Sequence, residues 1–266
     1  MTIANDLAPA PAADHSSCEW CDGLRRGLLM GLALLALVLP PVLHHSAAAL
    51  PAPVLAGAIA APAPRASGVA DFGADTPSPA ARQVADWVAA SGDNAGTPFV
   101  IVDKKNAHVF VFDSGARLRS STPVLLGAAA GDDTVAGIGA RAIADVQPHE
   151  RTTPAGRFVA ERGRNVLGED VVWVDYDAAV SMHRVRTTHA QERRLERLAT
   201  PSVDDNRISY GCINVPVAFF EQYIQPVFAS QRAVVYVLPE RKTVEQVFAA
   251  LQVAALQAPD SRKRIL

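Results

Sequence analysis

Apolar residues recur at every second position through the first half of the chain beyond residue 95, and at helical spacing on either side of it. Phe99-Val-Ile-Val102 and His108-Val-Phe-Val-Phe112 flank the turn-forming Asp103-Lys-Lys-Asn106, a pattern that predicts a β-hairpin. Ser114-Gly115 turns the chain into a third strand within Arg117 to Leu126. Ahead of the hairpin, Ser78 is placed to cap a short helix through Ser91, with Val84, Trp87 and Val88 on one face and Gly92 ending it. Residues 127–150 are rich in Gly, Ala and Asp and carry no period, so they predict a long loop, of the kind that is often a functional lid or a disordered insertion. Strands resume at Gly156 to Glu161 and Asp170 to Val174, and Ala178 to Met182 predicts another that ends at His183.

The last third reads as helix and strand in turn. Leu195 and Leu198 amid the charges of Thr188 to Ala199 predict a short surface helix. Pro216 suits a first helical turn, and Val217, Phe219, Phe220, Tyr223 and Ile224 form one apolar face behind it. Ala233 to Leu238 is a buried strand, and Val244 to Leu256 a terminal amphipathic helix. The fold class expected is mainly β with peripheral helices (α+β).

The N-terminus adds a destination. Arg25 and Arg26 precede 13 residues without a charge, Gly27 to Leu39, which Pro40 and Pro41 end before the small residues Ser46-Ala47-Ala48-Ala49. That is the layout of a secretory signal, and the run is shorter than the ~20 residues of a membrane-spanning helix. Residues 1–49 are therefore expected to be a cytoplasmic n-region with a signal peptide cleaved near Ala49, or a retained anchor if the run extends to Leu43. The destination expected is the periplasm or cell envelope, with membrane contact only through this segment. Cys18 and Cys21 lie inside it and are assigned no function. Residues 50–80, rich in Ala and Pro, cannot pack a core and predict a spacer. The folded domain is expected over 81–266, starting near Pro79, with its core over 99–239. Without residues 1–49 the chain keeps 23 basic and 23 acidic residues, which leaves no electrostatic case for nucleic acid.

Past residue 50 the chain has one cysteine, Cys212, in Arg207-Ile-Ser209-Tyr210-Gly211-Cys212-Ile-Asn214. Free cysteines are more often buried small hydrophobes than nucleophiles. A lone thiol beside glycine in an exported chain points the other way, because exported cysteines are usually paired. His183 is the first candidate for its base; His108, His149 and His189 are rivals. A Gly-containing turn ahead of a helix start would present unpaired N–H groups to a thiolate or oxyanion. Ser209 and Asn214 are expected to support the turn, and Arg184, Arg186 and Arg207 are candidates for binding substrate carboxylates. Such chemistry needs neither metal nor cofactor.

Ser209-Tyr210-Gly211-Cys212-Ile213-Asn214, with His183 and Thr153-Pro154-Ala155-Gly156-Arg157-Phe158 upstream, resembles the catalytic domain of the L,D-transpeptidases, bacterial enzymes that crosslink peptidoglycan. The likeness runs from about Phe99 to Pro239. It implies a β-sandwich catalytic domain in which Cys212 is the nucleophile, His183 the general base and acid, and Ser209, Tyr210, Gly211 and Asn214 shape the oxyanion site and its turn. It also implies peptidoglycan stem peptides as substrate, with a second stem, water or an envelope lipoprotein amine as acceptor. Two features depart from the family pattern: Tyr210 stands where a second histidine is usual, and 29 residues separate His183 from Cys212. A thiol hydrolase of the same fold and a non-catalytic peptidoglycan-binding domain are the alternatives.

Overall fold

The computed structural model describes residues 68–249, which fall within one compact unit. The expected signal or anchor, most of the spacer, Cys18, Cys21 and the end of the C-terminal helix lie outside the described residues. Among the described residues, no helix is long and apolar enough to cross a membrane.

The expected hairpin forms from β1 (Phe99–Asp103) and β2 (His108–Phe112), followed by β3 (Leu118–Pro123) and the short β4 (Leu126–Gly127). After the loop come β5 (Gly156–Arg164), β6 (Asp170–Asp175), β7 (Val180–Arg184), β8 (Arg207–Ser209), β9 (Ile213–Val215) and β10 (Ala233–Val237). Eight of these make one mixed sheet in the order β3-β2-β1-β10-β5-β6-β7-β9, and β4 pairs separately with β8. The sheet is nearly closed, because Leu125, just past β3, exchanges both backbone hydrogen bonds with Asn214 of β9 at 2.9 and 2.8 Å. The helices are α1 (Pro79–Ser91), α2 (Arg194–Ala199), α3 (Val217–Phe219), α4 (Gln225–Val227) and α5 (Val244–Val247), a π turn over Phe220–Ile224 joining α3 to α4. The protein is mainly β with peripheral helices, as its periodicity predicts.

β1 is covered on both faces, so residues 99–102 are apolar without a break and alternate only in which of two cores they join. Val100 and Val102 join Val109, Val111, Met182, Ile213 and Val235 inside the curl, where Phe219, Phe220 and Ile224 close it. Phe99 and Ile101 point the other way, to Phe110, Phe112, Tyr236 and the apolar face of α1. Each such side chain contributes about 1.5–3 kcal/mol by leaving water. The cap of α1 is as expected, with Ser78 Oγ accepting from the Ala81 N–H at 3.1 Å and Gly92 left-handed at φ 70°.

Two expectations are corrected. The folded body starts before Pro79: Ala70 and Phe72 are buried, and the Phe72 ring meets Phe110 and Phe112 edge-on at 5.6 and 5.1 Å. A composition poor in charge hid two core residues at the end of the spacer. Cys212 does not lead straight into a helix either, because β9 intervenes and α3 starts only at Val217. The electrostatics of the thiol therefore come from strand neighbours, not from a helix end.

Candidate active site

Strand geometry assembles the site. Ser181 and His183 are two apart on β7 and so share a face. β9 runs parallel to β7 with Met182 opposite Ile213 and His183 opposite Asn214, which sets Cys212, one residue ahead of β9, beside Ser181. The Cys212 Sγ lies 3.6 Å from Ser181 Oγ and 3.6 Å from the carbonyl oxygen of Ala179. His183 Nδ1 is 2.8 Å from the carbonyl oxygen of Arg184. A carbonyl can only accept, so Nδ1 carries the proton and Nε2 keeps its lone pair for the thiol. Burial pushes the Cys212 thiol up, but the hydrogen bond and charge of His183, helped by Ser181, outweigh it and hold the thiol below its ordinary value. This is the environment of a reactive cysteine.

The turn ahead of Cys212 is built by residues that never touch the thiol. Gly211 has φ 131°, and a Cβ there would sit 2.7 Å from the Thr152 carbonyl oxygen, so only glycine fits. Ser209 Oγ donates to the Cys212 carbonyl at 2.6 Å and accepts the Gly211 N–H at 3.1 Å. That N–H is thereby engaged, and Gly211 shapes the turn instead of offering a free oxyanion donor. Asn214, fully buried, donates to the same Cys212 carbonyl at 3.2 Å and accepts from Arg194. Ser209 and Asn214 thus both hold the Cys212 carbonyl.

Thr153, from the Thr-Pro-Ala-Gly segment, donates its hydroxyl to the Gly211 carbonyl at 2.8 Å and accepts the Gly127 N–H at 2.9 Å. Behind Thr153 lies a group the sequence did not announce. Lys104, expected as a turn residue, is wholly buried, its ammonium donating to the carbonyls of Gly131 and Thr153 and to Asp132 at 3.0 Å. Asp132 also accepts the N–H groups of Glu240, Arg241 and Lys242 at 2.6, 2.8 and 2.7 Å. Spacing gave no sign of Lys104, because its neighbours Asp103 and Asn106 read as any polar turn.

A cavity of about 360 Å³ opens over Cys212. Its walls include Ile138, Ile143 and Val146 from the 127–150 loop, Val166 and Leu167 from the β5–β6 turn, and Trp173, with Ser181, His183 and Tyr210 beside the thiol. The loop thus reaches the site as expected, built from three 3-10 turns instead of irregular chain. Gly139 seats it closely, since a Cβ there would meet the Asp177 carbonyl oxygen at 2.3 Å. Tyr210 lies under the Arg151 guanidinium at 4.1 Å, and Arg151 in turn donates to the Val146 carbonyl of the loop. Tyr210 therefore joins the thiol turn to the loop.

The arginines divide differently from expectation. Arg207 is paired with Glu240 and Arg184 with Glu221 at 3.0 Å, and neither lines the cavity; Arg141 and Arg186 do. The nearly buried Glu240 and the exposed Glu221 took the two arginines that sequence proximity favoured. Of the rival histidines, His108 Nε2 bonds Ser121 Oγ at 3.0 Å in a separate cavity of about 910 Å³, while His149 and His189 are exposed. Ser121 donates to Asp75, so that larger cavity holds no Ser–His pair aligned for nucleophilic attack. Among the described residues, no three His, Cys, Asp or Glu side chains gather to hold a metal ion.

No protein-family model and no curated protein matches the sequence. Solved structures with some likeness include an L,D-transpeptidase of Enterococcus faecium, at 17% identity over 53% of this chain and 50% of that one, with a TM-score of 0.29. The helical cell shape determining protein Pgp2 of Campylobacter jejuni is 15% identical over 55% of this chain and 49% of its own, at a TM-score of 0.35. An L,D-transpeptidase of Mycobacterium smegmatis is 14% identical over 53% and 58%, at 0.31. The chain spans about half the length of these structures. At such identities and TM-scores, the site stands on its own geometry.

Proposed function

We propose that the protein is a cysteine-dependent acyltransferase, an L,D-transpeptidase acting on peptidoglycan stem peptides in the periplasm or cell envelope. The observation that carries this reading is the line from Cys212 through His183 to the Arg184 carbonyl, with a thiol held below its ordinary value at the floor of a cavity. The motif around Cys212 supports the substrate class.

In this mechanism His183 Nε2 takes the thiol proton, and the Cys212 sulfur attacks the carbonyl between the third and fourth residues of a stem. The oxyanion that forms would be met by backbone N–H groups of the Tyr210–Cys212 turn other than that of Gly211. His183 returns the proton to the leaving nitrogen, the terminal D-amino acid departs with a free amine, and a thioester remains. An acceptor amine then gives a proton to His183 and attacks the thioester, which restores the thiol and leaves a new amide bond. With water as acceptor the outcome is carboxypeptidation; with a lipoprotein amine it is protein anchoring. An inert peptidoglycan-binding domain would have no use for a lowered thiol beside an oriented imidazole.

Intact mass spectrometry of the protein and its Cys212→Ala variant, incubated with a tetrapeptide-stem muropeptide with and without an acceptor amine, tests the reading. The expected result is a thioester adduct on the native chain alone, with crosslinked product when the amine is present. Stem turnover that persists in Cys212→Ala, or no turnover by either chain, would reject it.

A further inference from the structure

The cavity over Cys212 is lined by two arginines and no carboxylate. Arg186 is paired with Glu169. Arg141 is only half engaged: Nη1 pairs with Glu150 at 3.0 Å, while Nε and Nη2 are shut off from water and have no hydrogen-bond partner among the described residues. These two nitrogens are neighbours on one edge of the guanidinium, the edge that grips a carboxylate through two parallel hydrogen bonds. Glu150 is already shared, since it also accepts the Gln147 N–H at 2.9 Å. A guanidinium cannot shed its proton to escape burial, and buried donors without acceptors are costly. The rest of the wall is mostly apolar, which strengthens any ion pair formed there.

Resting on the proposed function, we propose that Arg141 is a specificity-determining residue whose unpartnered edge, uncovered by a shift of the 127–150 loop that carries it, binds the terminal carboxylate of the acyl-donor stem. One small cavity holds both Arg141 and Cys212, so the carboxylate it reads must lie close to the carbonyl under attack. The terminal carboxylate follows that carbonyl by a single residue. Arg141 belongs to the 127–150 loop, so its engagement also draws the loop onto the donor and makes the terminal carboxylate a condition of closure.

The test is equilibrium binding to the full chain carrying Cys212→Ala, by calorimetry, with a stem tetrapeptide and the same peptide ending in a carboxamide. The acid should bind at least ten-fold more tightly than the amide, and adding Arg141→Met should remove that preference, by weakening the acid more than the amide, while leaving circular dichroism unchanged. Arg141→Lys, which keeps the charge and loses the fork, should retain only part of the preference and carries the test if the Met variant misfolds. Equal affinities for acid and amide, a preference that survives Arg141→Met, or no binding of either peptide would each overturn the assignment. Cys212-dependent release of the terminal residue by the otherwise native chain is scored separately, so failure of the acyl-transfer reading is distinguishable from failure of the Arg141 assignment.

Discussion

At the scale of single residues, the site depends on how one partly buried thiol is made more acidic than an ordinary cysteine. Burial alone favours the neutral thiol; His183 and Ser181 reverse that. The imidazole is oriented by a backbone carbonyl instead of a carboxylate. A carbonyl fixes the tautomer yet carries only a partial charge, a weaker support that suffices for a thiol, which is far more acidic than a serine hydroxyl. Alkylation by iodoacetamide reports the thiolate, so its rate should rise with pH through a midpoint below the ~8.5 of a free cysteine. In His183→Ala the burial remains and its main opponent is gone, so the midpoint should move upward past that of a free thiol. Ser181→Ala should shift it the same way by less. A pH–rate profile with one midpoint in all three proteins would show that His183 does not govern the thiol. Cys212 and His183 were both legible in the sequence, because a lone thiol beside glycine, in a chain whose N-terminus predicts export, has few structural explanations. Arg141 was not, since an arginine in an aperiodic loop reads as solvated until its surroundings are known.

The elements set who meets whom. Parallel pairing of β7 with β9 fixes the register that puts Cys212 beside Ser181 and two residues from the His183 position. Strand and hairpin positions followed from alternation, whereas the intervening β9 did not, since three residues are too few to show a period. The 127–150 loop was recognisable only by its lack of pattern; its docking rests on contacts remote in sequence. Gly139 against Asp177 and the Arg151–Tyr210 stack hold it at two points. A cation–π contact of this sort is worth on the order of 0.5–2 kcal/mol. Gly139 touches neither the thiol nor the base, which makes it the cleaner probe of the loop as cover. Gly139→Ala should lift the loop, because backbone atoms cannot yield to the added methyl. Under acyl transfer, the share of thioester lost to water should then rise several-fold relative to crosslinked product. An unchanged product ratio, with Cys212 still acylated, would remove the loop from any role in excluding water.

Across the whole molecule, the curled sheet brings β1, the loop root, Thr153 and the segment after β10 to a single buried knot. Lys104 and Arg207 face Asp132 and Glu240 there, and Thr153 carries the knot's position to the Gly211 turn. These groups are scattered over more than 130 residues, so closure of the sheet, and no local motif, defines the knot. Removing one member of a buried ion pair typically costs ~3–5 kcal/mol, because its partner is left without compensation. Lys104→Met should therefore destabilise the protein by that order in urea unfolding, and should slow Cys212 acylation at temperatures where the variant remains folded. The pH dependence separates charge from packing. Burial brings the Lys104 ammonium down from 10.5 to about 8, although Asp132 opposes the fall. Between those values the unfolded chain binds the proton that the folded chain has released, so this group's contribution to stability rises with pH over the interval and is constant below about 8. The advantage of the native chain over Lys104→Met should then widen from pH 8 to pH 10. A gap that stays constant would mean that the ammonium titrates alike in both states and that Lys104 serves the knot through packing alone.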